Sequence, residues 1–165
     1  VSVDTQIVCP QIDVCREVSP SLIKHVLVPF DESEISYHAF ELALDLAKKY
    51  QAKLYVITVM HSDILASSFL EITSHQKIVE RQKVTELNHL FRIMKDIAKR
   101  FKVPFYADII LSRSVADSVV AFCSQHKVNL IVMGTRSRQG PKRYLIGSVA
   151  IDVLQKASCP IIFVK

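Results

Sequence analysis

Residues 129–148 read NLIVMGTRSRQGPKRYLIGS, and this stretch decides the fold. The run Asn129 to Met133 is too short and too continuously apolar for a surface helix, and it stops at Gly134. Such a run predicts a strand buried on both faces. From Ser148 to Ala157 the spacing becomes helical, so the loop between leads from a strand end to a helix start. That loop carries Gly134, Gly140 and Gly147, the three glycines of the chain, where average usage would place about a dozen. Glycine lets backbone approach a ligand closely, and amides at a helix start suit an anion. Ser148 adds a hydroxyl, and Arg136, Arg138, Lys142 and Arg143 add positive charge suited to a polyphosphate. A solvated basic turn, with Gly147 and Ser148 merely starting a helix, is the competing reading.

Outward from this stretch, the same alternation recurs. Apolar runs at His25–Phe30, Leu54–Met60, Phe105–Leu111 and Pro160–Val164 join Asn129–Met133 as predicted strands. Between them lie helical spacings. Ala39, Ala43, Leu46 and Tyr50 mark a helix over Ser33–Tyr50, and Leu87, Leu90, Phe91, Met94, Ile97, Ala98 and Phe101 mark one over Gln76–Phe101. Val115, Val119, Phe122, Cys123 and His126 mark a third before the fourth strand. Five buried runs separated by helices predict an α/β fold: a single doubly wound, all-parallel, five-stranded sheet with helices on both faces and right-handed crossovers. Ligands of such sheets bind at the carboxyl ends of the strands. Residues 24–165 are expected to form this one domain and residues 1–23, with Cys9, Pro10, Cys15 and Pro20, an N-terminal extension. The 61–75 segment is longer than an ordinary connection, a lid or partly helical excursion.

The 165 residues suffice for a core without staples, and 50% hydrophobic with 22% charged residues is ordinary globular composition. A net charge of +5 suits a polyanionic partner, but the basic residues are spread and no aromatic stripe interleaves them, so nucleic acid is not expected. Leu54–Met60 is too short for a bilayer, so no membrane association is expected. Asp4, Gln6 and Asp13 interrupt any leader pattern, which gives a cytoplasmic expectation. Cys9, Cys15, Cys123 and Cys159 form no CxxC pair. Free, largely buried thiols are expected, with Cys9 and Cys15 a redox pair only if the extension folds back. His25, His38, His61, His75, His89 and His126 lack ligand spacing, so no protein-held metal is expected.

The pattern Gly134-x2-Ser137-x9-Gly147-Ser148 resembles the universal stress protein signature, a Gly-x2-Gly-x9-Gly-Ser/Thr loop. HVLVPFDES from His25 resembles that family's first strand and turn, LIVMG to Gly134 its fourth strand, and SCPIIFV around Pro160 its last. The resemblance spans nearly all of Lys24 to Lys165. It implies strand order 3-2-1-4-5 and an adenine nucleotide, ATP or its relatives AMP and ADP, in the crevice between strands 1 and 4. Position by position, it implies that Pro29, Phe30 and Asp31 line the adenosine, Asp31 accepting from ribose hydroxyls, and that Val59 offers its backbone to adenine. Met133, Gly134, Arg136 and Ser137 would flank ribose and phosphates, and Gly147, Ser148 and Val149 would close around the phosphates. Mg²⁺ would enter only on those phosphates. A homodimer through the C-terminal strand is also implied.

Three positions depart from the family pattern. Ser137 replaces a glycine of the signature, Arg113 and Val115 stand where a Gly-x-Pro is usual, and Asn129 replaces an acid, a change expected to be structural. Ser137 and Arg113 are the residues that could close the pocket. Asp31 has a second reading as a cap or dipole partner of the helix after Ser33. There is no Gly-x4-Gly-Lys-Ser/Thr loop and no general base in the glycine segment, so no catalytic residue is assigned. The expectation is a nucleotide-binding regulatory protein of the stress response. The alternatives are a dimeric interaction module that binds no nucleotide and a slow ATPase or phosphotransfer enzyme.

Overall fold

In the computed structural model, which describes residues 22–61, 74–135 and 146–165, strands and helices alternate along the chain. They are β1 (His25–Pro29), α1 (Glu34–Tyr50), β2 (Lys53–His61), α2 (Ser74–Arg100), β3 (Phe105–Ser112), α3 (Val115–His126), β4 (Leu130–Gly134), α4 (Ser148–Lys156) and β5 (Ile161–Val164). Every strand and helix foreseen from the apolar pattern is present, with ends shifted by a residue or two, where helices fray and caps take over. Most of the expected N-terminal extension, the 62–73 part of the long connection, and Arg136 and Ser137 lie outside the described residues.

The sheet is wholly parallel in the order β3-β2-β1-β4-β5, as the sequence reading anticipated. Side chains alternate faces along each strand. Val26, Val28, Leu54, Val56, Leu130 and Val132 join the α1 and α2 side, where Ala39, Ala43, Met94 and Ala98 pack. Leu27, Ile57, Ile131 and Met133 join the α3 and α4 side with Val119, Phe122 and Val153. β1, β2 and β4 are buried on both faces and so read as continuous apolar runs. The edge strands β3 and β5, expected to be buried as well, are largely exposed and half-buried respectively, because each has a neighbouring strand on one side only. Among the described residues, no helix is long and apolar enough to cross a membrane.

Helix ends show what the scarcity of glycine entails. Gln51 and Lys127, the C-caps of α1 and α3, sit in the left-handed region at φ 54° and 52°, and Lys102 after α2 at φ 58°. Glycine usually occupies such positions, and an L-residue there costs roughly 1–2 kcal/mol. The described glycines, Gly134 and Gly147, are not at positive φ at all. Their value lies in the missing side chain, not in left-handed backbone.

The amino ends of β1 and β4 are stitched by Asn129. Its Oδ1 accepts from the amides of Lys24 (3.1 Å) and His25 (3.0 Å), its Nδ2 donates to Leu22 O (2.5 Å), and its own amide donates to His25 O (3.0 Å). His25 Nδ1 lies 2.9 and 3.1 Å from the carbonyl oxygens of His126 and Lys127, so it is the protonated, donating nitrogen. The structural role expected for Asn129 is therefore what it performs. A carboxylate could not supply the Nδ2 bond to Leu22.

Candidate functional site

β1 and β4 are neighbours in the sheet, and the chain leaves β1 for α1 on one face and β4 for α4 on the other. A crevice opens where the two connections diverge. Its β1 wall begins at Pro29 and Phe30. The Phe30 amide donates to Ile57 O (2.8 Å), and the buried Thr58 hydroxyl donates to Phe30 O (2.9 Å), so the backbone at the top of β1 is held to β2. Thr58 is thus a brace within the sheet. The chain then reverses through Glu32, held at φ 62° and ion-paired to Lys83 of α2.

Asp31 stands at this turn with its carboxylate half-buried. Its Oδ1 accepts from the Ser33 amide (3.1 Å) and the Ser33 hydroxyl (2.5 Å), while Ser33 Oγ accepts from the Ser36 amide (3.2 Å) and caps α1. The cap reading of Asp31 is thereby corrected in detail. Ser33 is the cap, and Asp31 is the residue that orients it. Among the described residues both of Asp31's hydrogen bonds fall on Oδ1. A carboxylate offers about four acceptor sites, so capacity for further donors remains.

The opposite wall is β4 and the start of α4. Gly147 donates its amide to Thr135 O (2.7 Å), and Thr135 in turn donates its amide (2.9 Å) and hydroxyl (3.2 Å) to Val164 O of β5. These bonds close the stem of the glycine loop. They also spend the Gly147 amide, which the anion reading had left available. What remains is the first turn of α4: the Ile151 amide is the first to bond back, to Gly147 O (3.1 Å), so those of Ser148, Val149 and Ala150 precede the helix ladder. α1 and α3 satisfy this end with serine caps, Ser33 and Ser114, whereas no side chain caps α4 among the described residues. Gly147 is its N-cap residue, and glycine has no oxygen to give.

These walls enclose a cavity of about 270 Å³. Of the residues expected from sequence, Pro29, Phe30, Asp31, Val59, Met133, Gly134, Gly147, Ser148 and Val149 all line it. Arg136 and Ser137 lie outside the described residues. The lining also includes Ser36, Ile57, Thr135 and Ala150, which the sequence reading did not select, and Val115, which it named only as a departure from the family pattern. Thr135 could have been found as the residue between Gly134 and Arg136, and Ile57 from its position two before Val59. Arg113 is exposed and is not part of the lining, whereas Val115 is. The wall expected to differ from the usual pattern is therefore apolar, and Arg113 does not block it.

A larger groove of about 420 Å³ runs between α1 and α2 over Phe40, Leu44 and Met94. Its charged lining residues, Glu41, Asp45 and Lys48, all come from α1, and the rest of the lining is mostly apolar. The smaller crevice is the better site because helix amides, a carboxylate and apolar walls face one volume.

The sequence model of the universal stress protein family matches residues 22–165. A universal stress protein of Methanocaldococcus jannaschii is 30% identical over 145 residues, covering 88% of this chain and 84% of that protein. The solved structure of universal stress protein UspA from Lactobacillus plantarum superposes with a TM-score of 0.69 at 21% identity, covering 88% of this chain and 99% of the other. That of a universal stress protein from Archaeoglobus fulgidus in complex with dAMP superposes at 0.61 with 18% identity, covering 87% and 98%.

Proposed function

The chain belongs to the universal stress protein family, and from that premise we propose that it holds ATP or a related adenine nucleotide in the β1/β4 crevice and acts as a regulatory protein without chemical turnover. The observation that carries this reading is the first turn of α4, which no side chain caps among the described residues and whose Ser148, Val149 and Ala150 line the same cavity as Asp31. Phosphate oxygens would take the amides of Ser148, Val149 and Ala150 and the Ser148 hydroxyl, where the helix dipole favours negative charge. Asp31 would accept from the ribose hydroxyls, its carboxylate already oriented by Ser33. Phe30, Ile57, Val59, Val115 and Met133 supply the apolar surface an adenine ring requires. The related A. fulgidus protein bound to dAMP supports an adenine nucleotide as the ligand class. Arg136 and Ser137 are proposed to complete the phosphate end, and Mg²⁺ would come only with the nucleotide.

The test is direct. Purified protein is denatured and the supernatant assayed for released nucleotide, and ATP, ADP and AMP are then titrated by calorimetry. Carried nucleotide or binding at millimolar affinity or tighter is expected. Neither being found would overturn the reading. Ser137→Gly, which restores the family glycine, should tighten binding by removing a Cβ beside the phosphates.

A homodimer through β5 is part of the same proposal. β5 is an edge strand whose Ile161, Ile162, Phe163 and Val164 are only half-buried, and Ile151 and Leu154 on the preceding helix are 40% and 52% exposed. An apolar edge of this kind invites pairing. Light scattering at micromolar concentration should return twice the mass of the chain, and a monomer would remove this part of the proposal.

A further inference from the structure

The turn between α4 and β5 meets the last turn of α3 at two side chains the crevice does not use. Cys123 on α3 and Cys159 just ahead of Pro160 are both free thiols, 4% and 7% exposed, in one apolar cluster with Val119, Phe122 and Val153. Their side chains face each other at close range within that cluster. Both backbones are anchored nearby: Cys123 O accepts from the Val128 amide (2.9 Å), and Pro160 O accepts from the Ile131 amide (3.0 Å). A solitary buried cysteine is an inert small hydrophobe, but two that face each other can be joined by a two-electron oxidation.

We propose that Cys123 and Cys159 form an oxidisable dithiol, which an oxidant of the peroxide class converts, within the folded protein, to a disulfide tying α3 to the start of β5. Cys159 reacts first. The Cys123 S–H acts as donor toward it and draws its pKa down, while that same interaction and, after it, burial hold the Cys123 thiol well above its ordinary value. The Cys159 thiolate attacks one peroxide oxygen, the O–O bond breaks, and a sulfenic acid and hydroxide result. The hydroxide takes the Cys123 proton, and the Cys123 sulfur attacks the Cys159 sulfur and expels the second hydroxide. That hydroxide recovers the proton Cys159 first released. In sum, two thiols and one hydrogen peroxide give one disulfide and two waters, with two electrons passing from sulfur to oxygen. The segment between the two cysteines contains β4, the glycine loop and α4, so the link fastens both ends of the far wall of the crevice.

The experiment uses the full chain with Cys9→Ser and Cys15→Ser, so that Cys123 and Cys159 are its only thiols. It is treated with hydrogen peroxide under native conditions, unfolded, alkylated and weighed. A mass lower by about 2 Da, no alkylation, and reversal by dithiothreitol are expected. Cys123→Ala and Cys159→Ala should each abolish the loss. The proposal is overturned if both thiols still alkylate, if one cysteine gains about 32 Da as a sulfinic acid without linkage, or if the link forms only when peroxide is added in urea. The parent protein's mass decides the matter even where an alanine variant fails to fold.

Discussion

The two ends of the β1/β4 pair are built from adjoining strands and treated in opposite ways. At the amino end, Asn129 consumes the local backbone groups of Leu22, Lys24 and His25, and the His25 ring consumes those of His126 and Lys127. At the carboxyl end, the chain diverges, α4 begins on a glycine, and its first amides are left ahead of the helix ladder. On the proposed reading, the difference separates a fastening from a receptacle. Among the described residues, the polar groups at the amino end are paired within the fold, whereas the first amides of α4 precede the helix ladder, where a ligand would find them. The fastening has a further consequence for the sheet. Strands apolar on both faces are only weakly held in register by burial, because a one-residue slip exchanges one apolar face for another. The polar bonds at the Asn129 end therefore fix the register on which the crevice at the other end depends.

The largest test of the contrast is at the open end. With ATP at about a hundred times its dissociation constant, nucleotide should stabilise the fold by roughly 2.7 kcal/mol. Gly147→Val should erase that gain, since a β-branched side chain intrudes on the phosphate approach, and thermal melts with and without ATP check it. A shift that survives the substitution would put the ligand elsewhere. Next comes the closed end. Asn129→Ala should cost about 2 kcal/mol in urea unfolding by leaving two amides and a carbonyl without partners, and Asn129→Asp, which loses only the Leu22 bond, about half of that. If the two variants were equally destabilised, the Oδ1 bonds would not be what fastens the strands.

A smaller gain is expected beside the fastening. Lys127→Gly relieves a left-handed residue while keeping the carbonyl that His25 uses, and should stabilise the protein by about 0.5–1 kcal/mol, offset in part by unfolded-chain entropy. The smallest effect sharpens the contrast most. Gly147→Ser supplies α4 with the cap that α1 and α3 already have, adding a few tenths of a kcal/mol without ligand. The same hydroxyl would compete with phosphate for the Val149 or Ala150 amide, so ATP affinity should fall by calorimetry. Stability and affinity moving in the same direction would break the account.

Sequence alone settled the alternation of buried strands and amphipathic helices, because burial on both faces of a parallel sheet writes continuous apolar runs and burial of one helix face writes a 3.6-residue period. It also marked the carboxyl end of the sheet, since a chain with three glycines confined to Gly134–Gly147 displays where a missing side chain matters. Only the tertiary structure decided how those residues are employed. Gly147 gives its amide to Thr135, Arg113 stays outside the crevice while Val115 lines it, Asp31 steadies the cap on α1, and Cys123 meets Cys159. Periodicity reports which face of an element is covered. It carries no record of which distant donor finds which acceptor, because such pairings are fixed by the packing of elements across the sheet.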